Sequence, residues 1–80
     1  MADKVFGTFR TKDGGEGHIF AMLMLDHGGE YVQTDNPDHA VCVVGEVTSG
    51  TNMGQQVAFD PTALATAIAE GWIVLKGAEH

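Results

Sequence analysis

HIFAMLMLDHGGEY, residues 18–31, decides how the rest of the chain is read. Ala21, Met22, Leu23, Met24 and Leu25 favour a helix by intrinsic propensity. A helix leaves its first four N–H groups without internal partners, yet no capping residue precedes this run, and glycines stand close on both sides. Residues 18–26 therefore read as a strand. Its period-two pattern puts Phe20, Met22 and Met24 on one face and Ile19, Ala21, Leu23 and Leu25 on the other. Both faces are apolar, so the strand needs cover on both sides and belongs at the centre of a sheet.

Working outward, Lys4–Thr11 (KVFGTFRT) alternates as a strand, with Val5 and Phe9 on one face and Phe6 beside Thr8 on the other. Lys12-Asp13-Gly14-Gly15 then supplies turn chemistry for a hairpin into the central strand. After Gly28-Gly29 comes a short strand, Glu30–Thr34, and a loop, DNPDHA, turned at Asn36-Pro37. Val41–Thr48 is a β-branched strand, SGTNMG a flexible connection, and Gln55–Phe59 another short strand. Asp60-Pro61 announces a helix, because aspartate accepts a free backbone N–H at the N-cap and proline at the first helical position gives up nothing. The helix is expected to run to about Glu70 with Leu64, Ala67 and Ile68 on one face, and Gly71 to end it in a left-handed cap. Trp72–Lys76 is the final strand, expected to lie parallel to the preceding one through a right-handed crossover. The sum is an α+β fold in a single domain, 1–80. A mostly antiparallel sheet of five to six strands carries one C-terminal helix (about 60–70) on one face, followed by the final strand.

Charge is the most informative bulk property. The 80 residues carry a net charge of −7, and the only basic residues are Lys4, Arg10, Lys12 and Lys76. Between Asp13 and Leu75 there is no lysine or arginine, while Asp13, Glu16, Asp26, Glu30, Asp35, Asp38, Glu46, Asp60 and Glu70 all fall in that window. Such a surface repels phosphate backbones and anionic membranes and attracts a basic partner. The longest apolar run, Ile19 to Leu25, is far short of the roughly 20 residues that cross a bilayer. One cysteine, Cys42, forms no intrachain disulfide, and set among valines it reads as an inert core thiol. These features point to a cytoplasmic protein.

The catalytic and metal motifs are missing. Ser49, the only serine, lies in a Gly-rich turn without an ordered base. GEVTSGTN, residues 45–52, has P-loop glycine spacing but asparagine and threonine where the lysine and its hydroxyl neighbour belong, so it is not expected to bind phosphate. His18 and His27, nine residues apart, sit on opposite faces of a strand and about 30 Å from each other. The turns hold Asp26, Glu30 and Asp35 besides His27, Asp38 and His39, the last three being the weak metal candidates, but no recognised ligand spacing is present. No cofactor and no enzyme activity are expected.

The expectation is a small non-enzymatic module that docks Asp26, Glu30, Asp35 and Asp38, with Tyr31 as an aromatic anchor, onto a basic surface of a partner protein. In size and acidity the chain is similar to small phage or mobile-element proteins that inhibit bacterial defence complexes by occupying basic nucleic-acid channels; that likeness implies inhibition of a nucleic-acid-binding complex. One short helix cannot cover both faces of the sheet, so Phe20, Met22 and Met24 are expected to face a second copy in a homodimer. A homo-oligomeric structural or assembly protein is the alternative, and a divalent-metal-dependent binder of small ligands the third reading.

Overall fold

The structure, a computed structural model, describes residues 5–76. The elements are β1 (Gly7–Arg10), β2 (Glu16–Leu25), β3 (Tyr31–Gln33), β4 (Cys42–Ser49), β5 (Gln56–Phe59), α1 (Pro61–Ala69) and β6 (Ile73–Leu75). All pairings are antiparallel, in the order β5-β4-β2-β1-β6, with β3 also on β2. The 18–31 stretch is thus most of the sheet's central strand and the turn into β3. β4 runs along one edge of β2; the other edge is shared, β1 taking residues 16–19 and β3 residues 23–25. No helix among the described residues is long and apolar enough to cross a membrane.

The core lies between the sheet and α1. Phe9 anchors it, its ring lying across Gly17 of β2 and Gly45 of β4, where a Cβ would come within 2.2 and 2.7 Å of ring carbons. The space vacated by two missing side chains is what admits the ring. Phe9 also meets Phe59 edge to face at 5.6 Å, an arrangement worth about 0.5–1.5 kcal/mol beyond burial. Phe6 is buried as well, contrary to the alternation expected for Lys4–Thr11. The ladder proper begins at Gly7, and Phe6 enters ahead of it, its N–H donating to the Ile19 carbonyl at 2.8 Å. Lys4, the start expected for this strand, lies outside the described residues.

A bulge overturns the face assignment of β2. Ile19 opposes Gly45 and Ala21 opposes Val44, so Phe20 is one residue more than β4 can match. Alternation slips there by one. Ile19 and Met22 both enter the core, Met24 lies on their face, and Phe20 stands 39 % exposed on the opposite side. Phe20, Met22 and Met24 therefore do not form one face.

Asp60 caps α1 by accepting from the Ala63 N–H at 2.8 Å, with Pro61 in the first helical position. At the far end Gly71 takes φ +82°, the Trp72 N–H reaches the Ala67 carbonyl and the Gly71 N–H that of Ile68, satisfying carbonyls the helix leaves open. The helix buries Leu64 and Ala67; Ile68, expected beside them, is exposed. Asp60→Ala is expected to cost about 1 kcal/mol, and so to lower the midpoint of a thermal melt followed by circular dichroism by about 4–8 °C, whereas Asp60→Asn leaves it nearly unchanged.

β6 does run parallel to β5, since four antiparallel steps separate them, but the two are opposite edges rather than neighbours. Those four steps span roughly 19 Å. Nine helical residues cover only about 13 Å, so α1 must lie across the strands and reaches β4, β5 and β6 together. The molecule is a slab 18 Å thick, the depth of one sheet and one helix. The sheet face away from α1 has no second layer among the described residues.

Candidate partner-docking surface

The register gathers the acidic loops. Leu25 opposes Tyr31, Leu23 opposes Cys42, and Val43 opposes Phe59, so the end of β2, all of β3, the start of β4 and the end of β5 share one end of the sheet. The loops carrying Asp26, Glu30, Asp35 and Asp38 leave from that end, and so does Asp60. Glu30, Asp35, Asp38 and Asp60 are exposed, in a stretch of sequence that contains no lysine or arginine.

Asp26, like the cap Asp60, is engaged with local backbone, unlike Glu30, Asp35 and Asp38. Its carboxylate accepts from the Gly28 and Glu30 N–H groups at 2.8 and 2.9 Å, which closes the β2–β3 turn. The geometry is that of an Asx turn. In the next loop Thr34 Oγ1 accepts from the Asn36 N–H and Asn36 Oδ1 from the Asp38 N–H, so side chains rather than a ladder shape residues 34–38. The Asp35 and Asp38 carboxylates stay directed to solvent.

Beside these loops a shallow groove of ≈ 430 Å³ crosses the edge of the bare sheet face. Leu23, Cys42, Val44 and Ala58 form its apolar floor, with Tyr31 and Asp60 at the rim. Leu23 pairs with Cys42 and Val44 with Ala58, which is why these four side chains share a face. Cys42 is accordingly half-buried here and not in the core. It lies against Tyr31, and hydrogen bonding to the thiol, its charge when ionised, and the nearby Asp60 carboxylate raise the phenol above its usual value. Tyr31 stays neutral at neutral pH and is 53 % exposed.

Of the residues expected to self-associate, Met22 is inaccessible and Met24 half-buried on the helix side; only Phe20 looks outward, in company with Leu25 and Tyr31. Among the described residues no three His, Cys, Asp or Glu side chains converge as a metal would require, so His27, Asp38 and His39 do not make a ligand set. At the opposite end of the sheet Asp13 accepts hydrogen bonds from the Thr11 hydroxyl and the Gly15 N–H; these hold its carboxyl below the ordinary 3.8. From that end a second concavity, ≈ 570 Å³, runs along α1 from Arg10, Lys12 and Trp72 to Phe59 and Ala63, two residues that also line the first groove.

Reading along the chain did not reveal either concavity. Asp60 was legible as a cap, and Leu23 and Cys42 as apolar strand residues; their meeting with Tyr31 depends on strand order. No protein-family model, curated protein or solved structure matches this chain.

Proposed function

We propose that this protein is a non-enzymatic binding module whose acidic end and adjoining groove dock a basic surface of a partner protein. The observation that carries the reading is that the loops bearing Glu30, Asp35 and Asp38 leave the same end of the sheet as Asp60, which stands at the rim of a groove with an apolar floor. A lysine or arginine of the partner lays its aliphatic stem along Leu23, Val44 and Ala58 and brings its charged head to Asp60 and the loop carboxylates. Tyr31 contributes a large, rigid contact with a polar tip, the type of residue on which interfaces concentrate their energy. Among basic partners, nucleic-acid-binding proteins present dense cationic channels, and occupying such a channel inhibits it.

The test compares two variants of equal charge. Asp35→Asn/Asp38→Asn/Asp60→Asn removes three charges at the docking end and keeps the helix cap; Asp13→Asn/Glu16→Gln/Glu46→Gln removes three elsewhere. Titrated calorimetrically with an arginine-rich peptide, the first is expected to lose about tenfold in affinity or more and the second little. Equal losses would remove the docking end from the reading. Binding that is unchanged between about 0.05 and 0.5 M salt would remove its electrostatic basis.

The bare face supports a second reading, self-association in a homodimer or larger assembly, since Phe20, Leu25 and Tyr31 stand exposed on it. A monomer mass in light scattering at micromolar concentration excludes it.

A further inference from the structure

We propose that the groove between α1 and the β1–β6 edge binds a small ligand with a carboxylate head and an apolar body. Its cationic mouth, Arg10 and Lys12, lies at the end of the sheet opposite the acidic loops, while its apolar far wall, Phe59 and Ala63, is shared with the docking groove.

Charge placement is the first argument. The chain has four Lys and Arg against eleven Asp and Glu, yet two of the four, Arg10 and Lys12, line this one groove. Arg10 is held in position: its Nη2 donates to the Gly71 carbonyl at 3.2 Å and its guanidinium sits 5.7 Å from the centroid of the Trp72 ring. A guanidinium has five N–H donors in a rigid fork, so the Gly71 bond leaves a pair of donors for a planar carboxylate. Anchoring by Gly71 and Trp72 reduces the entropy lost when that pair engages. Lys12 has no partner among the described residues, an unusual condition for a cation in so acidic a chain.

The walls are the second argument. Phe59, Ala63, Ala67 and Trp72 line the groove with apolar surface, and ≈ 570 Å³ falls within the range of small-molecule sites. An inorganic anion would leave these walls in water; an apolar body covers them. Glu70 is the opposing feature. It also lines the groove, where its carboxylate accepts from Trp72 Nε1 at 3.2 Å, and it repels the ligand's head. The two cations outweigh it, and neutralising it tightens binding.

The probe is phenylbutyrate, with phenylbutanol as its neutral counterpart. Trp72 is the only tryptophan, so selectively excited fluorescence reports from this groove and from a smaller hollow that Trp72 also lines and Lys12 does not. Phenylbutyrate is expected to change Trp72 emission saturably and to bind about tenfold or more tightly than phenylbutanol. Lys12→Gln, which breaks no hydrogen bond or ion pair among the described residues, is expected to weaken binding severalfold, and Glu70→Gln to strengthen it. The proposal is overturned by equal affinity for the acid and the alcohol, by no saturable change, or by loss of the signal with Tyr31→Ser in the other groove rather than with Lys12→Gln. It is overturned as well if the groove is filled by the acidic end of a second copy, seen as a mass that rises with concentration and falls in the Asp35→Asn/Asp38→Asn variant.

Discussion

Gly17→Val is expected to abolish cooperative unfolding or to remove most of the stability of the protein. Gly17 faces the core, and a Cβ built there comes within 2.2 and 2.4 Å of the Phe9 ring and 2.6 Å of the Glu46 carbonyl oxygen. Turning the ring relieves only the first clash, because the second is with the backbone of the adjoining strand. The ring is itself confined by Gly45 on the adjoining strand and by the edge-to-face contact with Phe59. Overpacking of a tight core costs typically about 1–3 kcal/mol, and more where backbone must move. A domain of this size holds only about 5 kcal/mol in total. Urea unfolding followed by circular dichroism is the measurement, and a variant within about 0.5 kcal/mol of the parent contradicts the packing described. Phe9→Leu in the Gly17→Val background is expected to recover part of the loss, because the two side chains compete for one space and their effects do not add.

That cradle also shows where the sequence was legible and where it was not. The helix could be placed from Asp60-Pro61 and Gly71, since capping chemistry acts over a few residues and each of the three carries its own conformational demand. The central strand could be placed from its two apolar faces. Gly17, by contrast, reads as punctuation before a strand, although its function is to leave room for a ring eight residues earlier; nothing local distinguishes the two roles. The two concavities depend on pairings between distant residues. Arg10 reaches Gly71 across a separation of 61 positions, and only once β6 is known to return to β1 do Arg10, Lys12 and Trp72 become neighbours. The acidic loops were legible as acidic, but their placement at the same end as Asp60 follows from β5 ending, and β3 and β4 beginning, on one side of the sheet.

Met22→Ala and Phe20→Ala are expected to differ sharply, and the contrast tests the bulge directly. A strand of unbroken alternation puts residues 20 and 22 on one face and makes their truncations comparable. The extra residue at Phe20 separates them: Met22 is 1 % exposed in the core, while Phe20 is on the uncovered face. Truncating a fully buried methionine removes its transfer energy and leaves a cavity, about 2–5 kcal/mol; truncating a side chain that already meets water is expected to cost less than about 1 kcal/mol. Chemical denaturation of the two variants decides between the geometries, and equal losses contradict the bulge. Deleting Phe20 extends the test, because it leaves Ile19, Ala21 and Met22 in simple alternation with Ile19 and Met22 still facing the helix, so the deletion variant is expected to fold. The same contrast separates packing from self-association. If copies of the chain meet through the bare face, Phe20→Ala lowers the mass seen in light scattering without lowering stability, whereas Met22→Ala lowers stability and reaches the interface only through the fold it weakens.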